Sequence, residues 1–407
     1  MQEFIEATQR VMQREWHRIA ERKTLYMFAI IVPLALFFFL VSIYTNGLMR
    51  DIPVGVYDAD HSQLSQLITE SIEGASSFRI VEYEHSIDEI RDAYLKGRIQ
   101  GAFYIPENLE HDLKRGKPAS VVVFNNETNL VIGNTTLKDA TTIIKTISGG
   151  VLLKKLRSKG MSSEQAMAVI NPIHVSSQML YNPNYNYLHY IGIGIIPAVL
   201  QMLIMVTAVL LITSEVAHNT MQELLTEAHG NLWAIVTGKS IPHLAVHAAT
   251  TLGIFGIIFP FFHVDIIGST VALIGMFFYF VIACFMMGFM ISAVSPSQQI
   301  ATEISFILNI PAFLFSGFVY PLWAMPWLHN LFAQLLPFTH FLPAFLKLYQ
   351  MGAPIKDVLP EVLQLTMMIG ISICVTMVAL WYRFHWHESS SSVSSNDRSA
   401  QEGHTWL

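Results

Sequence analysis

Apolar residues gather in six long stretches along the chain: Leu25–Thr45, Leu188–Thr213, Ile241–Phe262, Ser269–Val294, Ile300–Tyr320 and Val362–Tyr382. A helix needs about 20 such residues to cross the roughly 30 Å hydrocarbon core of a bilayer, where no water satisfies an open backbone. Only the fifth stretch holds an ionised type, Glu303, about one turn from its end. The pattern predicts an α-helical polytopic membrane protein with six transmembrane helices. The first stretch is too long for a signal-peptide core, and Tyr44-Thr45-Asn46 is not a cleavage site, so it predicts a retained anchor.

Between the spans the period changes. Residues 1–24 place Phe4, Ile5, Val11, Met12, Trp16 and Ile19 at roughly helical spacing among Arg and Glu, which predicts an amphipathic helix at the membrane surface. That helix is a plain anchor or a docking element for a partner. Residues 46–187 read as an independent α/β domain. Short β-type runs at Ile52–Tyr57, Phe78–Tyr83, Ile99–Ile105 and Val121–Phe124 alternate with helical stripes. Ser62 and Ser86 are placed as helix caps, and Asn134–Gly160 predicts a long helix capped at Asn134. Residues 214–240 form a polar loop, with Met221, Leu224 and Leu225 on one face of a short helix. Residues 321–361, with five prolines beside Trp323 and Trp327, predict re-entrant or interfacial helices. The serine-rich tail from about 388 predicts no fixed structure.

Composition narrows the class. Of 407 residues, 52% are hydrophobic and only 13% charged, with a mean hydropathy of +0.44; ordinary soluble domains carry about 25% charged residues. The net charge of −6 leaves no basic face for nucleic acid. The two cysteines, Cys284 and Cys374, lie in apolar runs and make neither a disulfide framework nor a metal site. Orientation follows from Arg10, Arg14, Arg18, Arg22 and Lys23, which keep residues 1–24 in the cytoplasm. Six spans then return the C-terminus to the cytoplasm, with 46–187 outside, 214–240 inside and 321–361 outside.

Candidate chemistry is sparse. Gly238-Lys239-Ser240 resembles the end of a phosphate-binding loop, but Trp233 stands where that loop needs glycine, so the chain has no ATPase site of its own. His243 and His247, one turn apart, lack a third metal ligand in sequence, and packing is the favoured reading. His385-Trp386-His387 reads as an interfacial anchor. No nucleophile–base set is present, and the chain is read as a non-enzyme that binds no cofactor.

The order of segments resembles the permease subunit of type-2 ABC exporters over nearly the whole chain. The resemblance is carried by Arg14-Glu15-Trp16 leading to Pro33, by Tyr57-Asp58-Ala59-Asp60-His61-Ser62, by Glu215 with Asn219-Thr220-Met221-Gln222-Glu223-Leu224-Leu225, by Gly238-Lys239-Ser240-Ile241-Pro242, and by Ile310-Pro311 through Phe318. This chain has Ser214 where the family usually has Arg, Asn219 where it often has Gly, and Lys347 where it often has Arg. The resemblance implies a bacterial inner-membrane protein with both termini in the cytoplasm. It pairs with a cytoplasmic ABC ATPase subunit that holds ATP and Mg, with a second permease subunit, and with membrane lipid; a periplasmic adaptor is a partner it leaves open. Arg14, Glu15, Trp16, Glu215, Asn219, Thr220, Met221, Glu223, Leu224 and Leu225 are then the coupling residues. Met202, Met205, Glu303, Phe306, Asn309, Phe313 and Phe315 are the candidate translocation path for an amphipathic or apolar cargo, against simple helix and lipid packing. The rivals are an ion-coupled carrier using Glu303 and a membrane-anchored sensor or assembly protein.

Overall fold

A computed structural model describes residues 1–21, 23–172, 178–183 and 185–402, without the side chains of 23–26, 28–29 and 386–402. Arg22 and the side chains of Lys23, Trp386 and His387, used above for orientation and anchoring, lie outside the described residues. The chain divides into two compact units, Asn46–Met179 and the remainder.

The chain opens with two helices, α1 (Gln2–Glu21) and α2 (Lys23–Ser42). The α/β unit follows: β1 (Ile52–Asp58), α3 (Gln63–Glu73), β2 (Phe78–Tyr83), α4 (Ile87–Leu95), β3 (Gly101–Ile105), α5 (Leu109–Lys114), β4 (Val122–Asn125), α6 (Leu130–Ser158) and α7 (Ser163–Ile170). Its sheet has the order β2-β1-β3-β4, with β1 parallel to β2 and β3, and β4 antiparallel on the edge. Strand side chains alternate between faces. Phe103 and Ile105 therefore join Val54, Ile68 and Ile72 in one core, while Ala102 packs with Ile90, Ala93 and Ile99 of the α4 side. Ser62 caps α3 in a reciprocal box with Ser65, and Ser86 accepts from the Glu89 amide. The cap of α6 is Asn129, whose side chain accepts from the Val131 and Ile132 amides. The expected cap, Asn134, sits inside the helix.

In the second unit the chain continues through a π-turn (Leu188–Gly192) into α8 (Ile193–Ala208) and α9 (Leu210–Ala217), then α10 (Met221–Glu227) and α11 (Leu232–Gly253). A π-turn leads on to α12 (Phe259–Phe261), followed by α13 (Thr270–Val294), α14 (Gln298–Asn309), α15 (Ala312–Phe315), α16 (Trp327–Gln334), α17 (Pro337–Tyr349) and α18 (Leu359–Glu402). Among the described residues four helical segments are long and apolar enough to cross a membrane: Leu188–Ala217, Leu232–Phe261, Thr270–Val294 and Ile355–His385. Ile30–Ser42 is a shorter apolar helix, and α16 and α17 form a pair bent by 80°.

Six continuous spans are therefore not what the described residues form. The stretch Ile300–Tyr320 stops as a helix at Asn309, because Pro311 has no amide hydrogen and its ring crowds the preceding turn. Within 321–361, expected to hold re-entrant or interfacial helices, α16 and α17 meet at 80°. The loop expected at 214–240 shrinks, since α9 runs past Glu215 and α11 begins at Leu232. The tail from 388 continues α18 to Glu402; extending a helix already formed needs no new nucleus.

Helix α13 is the axis of this unit and packs against α8, α11, α17 and α18. Phe280 of α13 stacks on Phe341 at 4.2 Å between ring centroids, and Phe341, Phe345 and Tyr349 stack in turn along α17. One buried polar node crosses this apolar interior. Gln201 Nε2 donates to Asn309 Oδ1 (3.0 Å), and Gln201 Oε1 accepts from the free Phe338 amide at the start of α17 (2.8 Å). One side chain thus links the Asn309 side chain at the end of α14 to a free amide in the first turn of α17. Replacing Gln201 by Leu strands the Phe338 amide and is expected to cost about 1–3 kcal/mol, read as a lower unfolding midpoint of the detergent-purified chain; an unchanged midpoint would remove the node from the fold's essential contacts.

Candidate functional site

The first helix places Ala7, Val11, Glu15 and Ile19 on its buried face, a spacing of four residues that forms one stripe. That stripe lies along the first turns of α11. Gly238 makes the approach possible: a side chain there would bring a Cβ within 2.7 Å of Val11 Cβ and 3.0 Å of the Thr8 carbonyl oxygen. Thr8 and Thr237 hydroxyls stand 3.4 Å apart beside it.

One helical turn further along α1, an ion cluster joins α1, α9 and α11 with the turn before α10. Arg14 donates to both oxygens of Glu215, at 2.8 and 3.0 Å. Lys239 Nζ donates to Glu215 Oε1 at 2.7 Å and to Glu15 Oε1 at 2.6 Å. Arg18 and the Thr220 hydroxyl also donate to Glu215. His243 Nε2 lies 3.4 Å from Glu15 Oε2. Glu215 and Lys239 are fully buried, and Glu15 nearly so. Three cations thus surround two buried carboxylates, Lys239 from within and Arg14 and Arg18 from the partly exposed side. Such pairs hold only when geometry is good and every lone pair is met, and Glu215 meets that condition with five donated bonds. Burial alone raises the Glu15 carboxyl, but the His243 hydrogen bond and the Lys239 ammonium outweigh it and hold the carboxyl down at about 2.

Helix α10 hangs beneath this cluster. Asn219 takes a left-handed φ of 57°, a conformation that Gly adopts freely and Asn tolerates better than other residues. The turn puts Thr220 on Glu215 and buries Met221 and Leu224. Leu225 packs half-buried on the same core. Glu223 stays exposed, 3.8 Å from Arg14.

The family model for ABC-2 family transporter proteins matches residues 23–381. The chain belongs to the ABC-2 transporter family. It is similar to the probable multidrug ABC transporter permease YbhR of Escherichia coli, in strain K12 and in O157:H7 alike. In each case 25% of residues are identical over 316 residues, which cover 75% of this chain and 79% of the relative.

In this ABC-2 chain the residues named above for coupling fall into three groups. Arg14, Glu15, Glu215 and Thr220 meet in the cluster, and Met221, Leu224 and Leu225 pack under it. Trp16 and Glu223 are exposed. Sequence reasoning missed Arg18, Lys239 and His243. Their signals were present: arginines at every fourth position of α1, and a lone lysine at the head of an apolar helix. Lys239 is thereby explained as an ion-cluster cation rather than part of a phosphate loop. His247 leaves the pair and meets the Thr207 hydroxyl at 3.0 Å.

The residues named for a translocation path are spread out. Met205 and Asn309 are buried together, with Asn309 Nδ2 3.4 Å from the Met205 sulfur. Phe313 packs on Phe318 and Phe338, and Phe315 on Phe332. Met202 is half-buried and Phe306 exposed. Glu303 is exposed and accepts from Gln299 one turn away at 2.9 Å. Lys347 ties α17 to the start of α18 through Glu361 at 2.6 Å.

Removing the Glu215 carboxylate leaves Arg14, Arg18 and Lys239 facing one buried acid. Glu215→Ala is expected to destabilise by about 3–5 kcal/mol, measured as lost thermal stability in detergent, with Glu215→Gln intermediate. Glu15 supplies the pH test. Its folded value lies below the ordinary 4.5, so its contribution is full above that value and fades as pH falls toward about 2. The stability gap between wild type and Glu15→Gln should therefore hold at neutral pH and close in acid; a gap independent of pH would contradict the assignment.

Proposed function

We infer that this ABC-2 chain is the membrane permease subunit of an exporter and that α1 with α10 forms the surface gripped by a separate ATP-hydrolysing subunit. ATP and Mg belong to that subunit, beneath the cytoplasmic face of a bacterial inner membrane. A second permease chain completes the transport path, and residues 46–187 stand outside, where an adaptor protein has access to them. The observation that carries this reading is the Glu15–Glu215–Lys239 cluster. It fastens the two elements that face a partner, α1 and α10, to the ends of two apolar helical segments, Leu188–Ala217 and Leu232–Phe261. A push on either element reaches both segments at once, and coupling needs such a difference in contacts between states.

The name of the relatives, a multidrug permease, agrees with an amphipathic or apolar cargo for this chain. The aromatic and methionine-rich faces near Met202, Met205, Phe306 and Phe313 fit the same class of molecule. Membership of the ABC-2 family does not favour the ion-coupled carrier, and Glu303 finds its hydrogen bond within its own helix.

The test uses exposed residues, so that folding is spared. With the chain reconstituted beside its ATPase subunit, Glu223→Lys combined with Trp16→Ala should lower transport-linked ATP hydrolysis by roughly tenfold, the effect of losing a central charged and aromatic contact. Unaltered hydrolysis would count against α1 and α10 as the grip. Glu303→Gln should leave ATP-driven transport intact; transport that needs a proton gradient and stops in this variant would restore the carrier reading. A cysteine introduced at Lys96 should react with an impermeant thiol reagent added from outside intact cells, and labelling only from the cytoplasmic side would overturn the orientation.

A further inference from the structure

Within the α/β unit a cleft of about 420 Å³ opens between α3, α5 and α6. Its wall is apolar: Leu64, Ile68, Leu113, Val121, Ile147 and Val151 line it. Several of these residues also belong to the main core of the unit, yet Leu113, Val121, Ile147 and Val151 stay only partly buried. The core is thus left open on this side. Ligand sites for small molecules are mostly apolar clefts of about 300–1,000 Å³ with a few placed polar groups.

The polar groups here are cationic. Lys117 and Lys155 stand at the cleft, each next to further basic residues in the runs Lys114-Arg115-Gly116-Lys117 and Lys154-Lys155. Gly116, at a φ of 80°, turns the chain so that the Lys155 Nζ lies 3.6 Å from where a Cβ would be. The ammonium therefore rests on the lip rather than in open solvent. No carboxylate pairs with Lys155 among the described residues, whereas Lys114 is held by Glu110 and Lys117 lies 3.9 Å from Asp112.

We propose that this cleft binds a single-chain anionic amphiphile, its hydrocarbon along Leu64, Ile68 and Val151 and its carboxylate on Lys155. The charge of the lip selects the sign of the head group. The volume, near the small end of the ligand-site range, suits one chain rather than two.

The experiment uses the full chain in lipid nanodiscs with a photoreactive dodecanoate, and a photoreactive dodecylamine as the cationic control. Adducts are mapped by mass spectrometry. The dodecanoate is expected to mark residues 109–121 and 144–155, and free dodecanoate should compete while dodecylamine does not. Lys155→Glu, a surface change, should weaken labelling roughly fivefold, as expected for one partly exposed ion pair. Ile147→Trp should fill the cleft and abolish labelling. Equal marking by the amine, marking confined to the apolar helices of the other unit, or labelling indifferent to Lys155→Glu would each overturn the proposal.

Discussion

A fully buried carboxylate must be matched, and Glu215 is the point at which this fold meets that demand. Its oxygens accept from Arg14, Arg18, Lys239 and Thr220, which come from α1, the turn before α10, and α11. The cations do not come from the neighbour in sequence, since Ser214 precedes the acid; they are delivered across 197 to 201 residues of chain from α1 and across 24 from α11. Breaking one member leaves charge stranded at buried carboxylates, so the cluster fixes how α1, α9 and α11 meet even where its net contribution to stability is modest.

The apolar interior obeys a second constraint. A helix broken at Pro311 and a pair bent by 80° expose backbone amides and carbonyls that lipid cannot satisfy. Gln201 of α8 meets one of these, the Phe338 amide, and the aromatic column of Phe280, Phe341, Phe345 and Tyr349 packs α17 against α13.

Much of this was legible in the residues. The four strands sit within two residues of the apolar runs that predicted them, because short apolar runs bounded by turn residues mark strands packed on both faces. The caps at Ser62 and Ser86 were equally plain. What failed were boundaries set by charge. Apolar runs stop before Glu215 and begin after Lys239, since hydropathy scores each charge by itself; paired, the two stay inside their helices. The break after Asn309 was also hidden. Pro33, Pro197 and Pro242 lie inside helices that continue, so proline alone does not mark where a helix ends. Of the ion cluster, Arg14, Glu15, Glu215 and Thr220 were named from motifs, while Arg18, Lys239 and His243 needed the fold to bring them together.

Helix α10 has only seven residues, fewer than an isolated helix needs to persist in water. It owes its existence to Met221 and Leu224 being seated, and two left-handed residues, Asn219 and His229, close it off at either end. Such a segment has two regimes, docked or unwound, with nothing stable between. It behaves as a stiff pin while seated, and a strong enough pull dissolves it instead of bending it.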